Sequence, residues 1–106
     1  MLNRAILQGR TVHHPELVHN ENGTAILKFS IAVNGKNTNF FDCFMVGEKA
    51  EENELMIDKG QEIFVIGQLY QREYKTKKGK KAFKTEIYVE ECNFTSDIKN
   101  PLTGEI

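Results

Sequence analysis

The sequence predicts an all-β domain with one short helix. Apolar residues recur at every second position of residues 25–33, with Lys28, Ser30 and Ala32 between them, and Ile63, Val65, Gly67 and Leu69 alternate again, the period of two that half-buried strands show. Asn22-Gly23 and Asn34-Gly35 place turn signals on both sides of the first segment. A chain of 106 residues with 40% apolar and 27% charged residues has the size and composition of one globular domain.

Three strands are predicted before the helix. The first contains residues 5–7 and leads through Gly9 to a break at His14-Pro15, because a proline pushes the preceding residue away from helical backbone angles. The second strand is the alternating segment at residues 25–33. The third is the aromatic and apolar segment at residues 40–46.

The helix is predicted at residues 48–58, which contain no glycine or proline. Ala50, Asn53 and Ile57 would share one helical face, and Gly60 stands where a C-terminal cap is expected. The acidic residues of this segment are interpreted as a solvated face.

Two further strands are predicted at residues 63–69 and 83–89. A long hairpin joins them through Lys77-Lys78-Gly79-Lys80, where Gly79 supplies the positive φ that such a turn needs. Three strands, one helix and two strands form the element order of the OB-fold, a five-stranded Greek-key barrel that binds oligonucleotides or oligosaccharides. Gly9 and Gly67 would lie at tight bends of this barrel.

Charge is unevenly distributed along the chain. The net charge is −1, but residues 71–84 carry a net +6 and residues 42–62 a net −5. A charge run is commonly only a solvated surface. Basic residues interleaved with aromatic ones also fit the binding of single-stranded nucleic acid, because cations hold the backbone and rings stack on bases.

No catalytic residue, cofactor or metal site is predicted. The sequence has no glycine-rich phosphate loop, and Ser30 and Ser96 lack the context of a nucleophile elbow. His13, His14 and His19 match no usual zinc spacing.

The chain is expected to be cytoplasmic and without a membrane partner. Its longest apolar runs, such as residues 63–66, are far shorter than the roughly 20 residues of a membrane span. The first residues do not look like a signal peptide. Cys43 and Cys92 are therefore interpreted as reduced core residues.

Several segments together resemble the bacterial and phage single-stranded DNA-binding protein family. They are NRAILQG at residues 3–9, FFDCFMVGEKAEE at residues 40–52, and GQL at residues 67–69, followed by Arg72 and Tyr74. The resemblance implies an OB-fold domain at residues 1–94 that coats single-stranded DNA during replication, recombination or repair. It also implies a homotetramer, with a dimer as the alternative, in which residues 3–7 form an edge strand that pairs with its copy.

The resemblance assigns roles to particular positions. Phe40 and Tyr74 match positions where the family stacks rings on bases, and Arg4, Lys59 and Arg72 match positions that contact phosphates. The remaining predicted DNA contacts come from the first strand and from the basic and aromatic hairpin: Arg10, Tyr70, Lys75, Lys77, Lys78, Lys80, Lys81, Phe83 and Lys84.

The sequence also departs from the family pattern. Two stacking positions are occupied by Val46 and Asn37, so binding is expected to depend more on charge. Residues 95–106 lack the acidic tip that recruits replication proteins in cellular members, which favours a phage or mobile-element source without such recruitment. The alternative function is an OB-fold adaptor that binds a protein of a replication or recombination complex through the hairpin.

Overall fold

A computed structural model describes residues 1–94 as a closed β-barrel with one helix. The strands are β1 (Ala5–Thr11), β2 (Glu16–His19), β3 (Ala25–Asn34), β4 (Thr38–Val46), β5 (Glu62–Lys75) and β6 (Lys81–Phe94), and the helix is α1 (Glu48–Glu54). The sheet order is β1-β5-β6-β4-β3-β2, and an additional pairing of β1 with β3 closes a ring of five strands. The predicted OB-fold is therefore confirmed. The predicted C-terminal segment, residues 95–106, lies outside the described residues.

The barrel core follows the predicted alternation. Inward-facing side chains come from four strands of the ring: Leu27, Phe29 and Ile31 of β3, Cys43 and Met45 of β4, Ile63 and Val65 of β5, and Ile87 and Val89 of β6. Ala50 of α1 and the following Ile57 are fully buried in the same cluster. Because each strand turns alternate residues inwards, its remaining side chains form the outer surface of the barrel.

The predicted helix is too long, and Gly60 is not its cap. The helix ends at Glu54, and the backbone N–H of Ile57 donates to the carbonyl of Asn53. The chain then turns so that Ile57 enters the core, and Gly60 adopts a φ of 81° in the loop before β5. Residues 58–60 bond to β1 instead of continuing the helix: the Thr11 hydroxyl donates to the carbonyl of Asp58, and the backbone N–H of Gly60 donates to the carbonyl of Thr11. These long-range bonds override the helical propensity of the segment. Within residues 1–94, no helix is long and apolar enough to cross a membrane.

One strand was not predicted, and β5 and β6 extend far beyond their predicted bounds. β2 has only four residues, which pair with β3, and such a short segment shows no clear periodicity. β5 and β6 have 14 residues each. Their distal halves form a hairpin that projects from the barrel with both faces in solvent, so those residues lack the apolar alternation by which strands are recognised.

Gly9 and Gly67 lie inside strands, as predicted, and Gly79 has the predicted positive φ. A Cβ at Gly67 would lie 1.9 Å from the carbonyl oxygen of Tyr88, next to a register shift between β5 and β6. A Cβ at Gly9 would lie 2.7 Å from the carbonyl oxygen of Ala32. Gly79, in the turn between β5 and β6, has a φ of 79°. The first two permit close approach of strands, and the third permits the turn.

Both cysteines are free thiols with low expected reactivity. Cys43 is buried and Cys92 is partly buried against the core, and burial raises the pKa of each thiol to about 12. Since the thiolate is the reactive form, we expect iodoacetamide at pH 8 to label the folded protein slowly and the urea-unfolded protein rapidly. Mass spectrometry of both samples over time measures this difference. Equal labelling rates would contradict it.

Candidate nucleic-acid interface

One continuous outer surface crosses strands β4, β6 and β5. On the hairpin, Tyr70 pairs with Glu86, and Tyr74 pairs with Ala82, so these side chains point to the same side. On β4, the residues that alternate with the core-facing ones point outwards, and Phe44 is in register with Tyr88 of β6. We call this surface the ring face: Phe40, Asp42, Phe44, Tyr70, Arg72, Tyr74, Lys84, Glu86 and Tyr88.

Three rings form a packed cluster at the centre of the ring face. The ring of Phe44 stacks on Tyr88 with centroids 5.3 Å apart, and its contact with Tyr70 is edge-on at 5.4 Å. The Arg72 guanidinium carbon lies 5.6 Å from the centroid of Phe44 and 5.5 Å from that of Tyr70. Phe44 is consequently only 9% exposed. Its ring packs against Tyr70, Tyr88 and Arg72 and is not accessible to a ligand.

Two other rings of this surface are open to solvent. Phe40 is 66% exposed and Tyr74 is 48% exposed. Phe40 points outwards because its neighbour Phe41 packs against the core. Large exposed aromatic side chains can accept a flat partner without any rearrangement of the core.

Three cations of the hairpin are already paired with carboxylates. Arg72 Nε donates to Glu86 at 2.7 Å, Lys84 Nζ lies 2.6 Å from Asp42, and Lys81 Nζ lies 3.3 Å from Glu73. Two hydrogen bonds, the stronger effect coming from Lys84 and the next from Ser30, hold the pKa of Asp42 below its usual value. The bond to Asp42 in turn raises the pKa of Lys84.

The unpaired positive charge lies at the end of the hairpin. Among the described residues, Lys75, Lys77, Lys78 and Lys80 form no ion pair, and all four are exposed. The basic segment of the sequence therefore divides into three cations that are paired with carboxylates and a cationic tip formed by the other four lysines.

The structure brings some of the predicted DNA contacts together and separates others. Tyr70, Arg72, Tyr74, Lys84 and Phe40 share the ring face. Phe83 pairs with Glu73, and Lys75 pairs with Lys81, which places these residues on the opposite face of the hairpin. Their predicted role in DNA binding stays a prediction.

The other predicted cations lie elsewhere. Arg10 is on β1, where Nη1 donates to the carbonyl of Gly60 and Nη2 contacts Glu62 at 3.3 Å. Arg4 precedes β1, and Lys59 is exposed in the loop before β5. In the ring, β3 and β5 separate β1 from β4 and β6. A nucleic-acid strand bound to the ring face would therefore have to cross the barrel to reach Arg10.

Sequence reasoning missed four members of the ring face: Asp42, Phe44, Glu86 and Tyr88 had no predicted role in the site. Tyr88 stands between the core residues Ile87 and Val89, so the alternation could have placed it on the outer surface. Nothing local to the sequence could have shown that it meets Phe44, because that contact depends on the parallel pairing of β4 with β6.

A profile described as the single-strand binding protein family matches residues 2–95 of the sequence. This chain belongs to the single-strand binding protein family. The match includes the whole barrel and the hairpin, so the ring face lies within the region that the family shares.

Individual members of the family are similar to this chain over most of its length. Single-stranded DNA-binding protein A of Bacillus subtilis is 35% identical over 102 residues, covering 89% of this chain and 59% of the relative. Single-stranded DNA-binding protein 2 of Listeria monocytogenes is 31% identical, with 98% and 70% covered. This chain thus spans about three fifths of the Bacillus protein.

A solved structure from the family has the same fold. It is a deletion mutant of the single-stranded DNA-binding protein from Thermus aquaticus, which superposes with a TM-score of 0.76 at 27% sequence identity. The superposition covers 91% of this chain and 42% of the Thermus chain. The barrel described above is therefore the fold that this member of the family also has.

Proposed function

We propose that this protein binds and coats single-stranded DNA without reading its sequence and without catalysing a reaction. The observation that supports this best is a surface with three exposed rings, Phe40, Tyr70 and Tyr74, beside a tip whose four lysines form no ion pair within the described residues. Similar proteins from Bacillus and Listeria are named single-stranded DNA-binding proteins. The proposed setting is DNA replication, recombination or repair in the cytoplasm of a bacterial cell or a phage-infected host.

The mechanism combines stacking with charge. Bases stack on Phe40 and Tyr74, and each stacked base contributes about 1 to 3 kcal/mol irrespective of its identity, because every base has a π-face. The tip lysines bind phosphates. A duplex keeps its bases stacked inside the helix, so it cannot use the rings and should bind far more weakly.

We also propose that the protein assembles as a homotetramer, with a dimer as the alternative. Residues 5–10 of β1 pair with β5 on one side, whereas only Arg10 and Thr11 pair with β3 on the other. The rest of that second edge is unpaired within the described part of the chain, and Ile6 is exposed beside it. An exposed strand edge needs a partner or a cover, and a second copy of β1 would provide one.

A titration with oligo-dT of increasing length tests the proposed function. We expect saturable binding with a defined site size at low salt, measured by fluorescence anisotropy, and weak competition by duplex DNA. Light scattering with and without the oligonucleotide gives the assembly and the stoichiometry. Absence of binding at low salt would contradict the proposal and favour the adaptor that binds a protein through the hairpin.

Removing the Tyr74 ring should weaken binding without affecting the fold. Tyr74→Ala is expected to lower the affinity for oligo-dT by about 1 to 3 kcal/mol and to leave the melting temperature nearly unchanged, since the side chain is exposed. Phe40→Ala should behave similarly. Tyr74→Phe is the matched control, because it keeps the ring and should keep most of the affinity. Parent-like binding by Tyr74→Ala would show that the ring is a bystander.

A further inference from the structure

The two cations of the ring face are held in different ways. The Arg72 guanidinium packs over Phe44 and Tyr70 and bonds to Glu86, whose side chain is only 15% exposed. Among the described residues, the Lys84 ammonium forms an ion pair only with Asp42, although the charge of Glu86 also acts on it, and the side chains of Lys84 and Asp42 are 52% and 42% exposed. Arg72 is therefore fixed by several contacts, whereas Lys84 is held by a single pair that solvent and salt screen.

The Lys84–Asp42 pair lines a polar cavity on the outside of the barrel. This cavity has a volume of about 280 Å³, and its walls include Lys28 and Ser30 of β3 and His13. Ser30 Oγ donates to Asp42 Oδ1 at 2.6 Å. Because this bond does not depend on Lys84, Asp42 keeps a hydrogen-bond partner when the lysine leaves.

We infer that the Lys84–Asp42 pair is an exchangeable phosphate site. When single-stranded DNA binds, one of its phosphates replaces the Asp42 carboxylate as the partner of the Lys84 ammonium. The inference rests on the proposed function and adds to it that Asp42 lowers the affinity for single-stranded DNA. A lysine that binds a phosphate releases the cations condensed there. The exchange leaves the Asp42 carboxylate unpaired, so Asp42 attracts a cation in return, and the net release is smaller than for an unpaired lysine.

Asp42→Asn tests this directly. The asparagine has the same shape, and its amide oxygen can still accept the Ser30 hydrogen bond, but it does not compete for Lys84. We expect tighter binding of oligo-dT, by up to about fivefold at low salt. The plot of log K against log salt should become steeper by up to about 0.7.

Two further variants separate the exchange from a general charge effect. Glu51→Gln, at an exposed position on α1, makes the same change in net charge and should leave the salt slope as in the parent. Adding Lys84→Gln to Asp42→Asn should abolish the gain in affinity, because the gain requires the released ammonium. Thermal unfolding of each variant establishes that it is folded.

The outcomes distinguish this inference from the proposed function. If the parent binds oligo-dT but Asp42→Asn has the parent's affinity and slope, or if its gain persists without Lys84, the exchange does not occur. If Asp42→Asn does not fold, Lys84→Gln alone decides: weaker binding with a shallower slope supports the exchange, and parent-like binding overturns it. If the parent itself does not bind, the proposed function has failed.

Discussion

Replacing Lys75, Lys77, Lys78 and Lys80 by glutamine is expected to weaken oligo-dT binding by about a hundredfold at roughly 0.15 M salt. A protein with a net charge of −1 attracts a polyanion only where its cations are concentrated. Each phosphate contact contributes a slope of about −0.7 in log K against log salt for a single strand. Four lost contacts should therefore flatten the slope by about 2.8, equally for all sequences.

The choice of these four lysines depends on the structure. Lys81 belongs to the same basic run, but it already contacts Glu73, whereas the four chosen residues form no ion pair within the described chain. Tyr74→Ala provides the contrasting control, because stacking releases no counterions. Loss of this stacking should lower the affinity without changing the slope of log K against log salt. A fourfold variant with the parent's slope would show that the tip does not contact the strand, and the adaptor would become the better interpretation.

Gly67→Ala is expected to destabilise the protein by about 3 kcal/mol or more, or to prevent folding. The added Cβ would lie 1.9 Å from the backbone oxygen of Tyr88 and 2.8 Å from its carbonyl carbon. Backbone atoms in a paired strand cannot move aside as a flexible side chain can. The β5–β6 pairing would have to separate at the point where the hairpin leaves the barrel.

Gly35→Ala is the matched control for this substitution. Its Cβ would meet only the carbonyl oxygen of Asn37, at 3.7 Å, and its φ is not positive. We therefore expect a change within about 0.5 kcal/mol. Urea unfolding followed by circular dichroism measures both variants. A Gly67→Ala protein as stable as Gly35→Ala would contradict the close approach of β5 and β6.

Local periodicity was sufficient to predict most of the barrel. The alternation at residues 25–33 predicted a strand whose Leu27 and Ile31 are fully buried, because a strand turns successive side chains to opposite faces. The same reasoning failed for the distal hairpin, where neither face is buried and no alternation is required. It also extended the helix past Glu54, since the bonds that tie residues 58–60 to Thr11 come from a distant strand.

The sequence by itself determined the order of the five barrel strands and the helix, the turn at Gly79 and the concentration of positive charge between residues 71 and 84. Only the tertiary structure decided that Tyr74 and Phe83 lie on opposite faces of one hairpin, and that Asp42 pairs with Lys84. Period and turn chemistry act over a few residues, so they can be read locally. The register between strands is set by packing of the whole barrel, and that register determines which distant rings and charges meet.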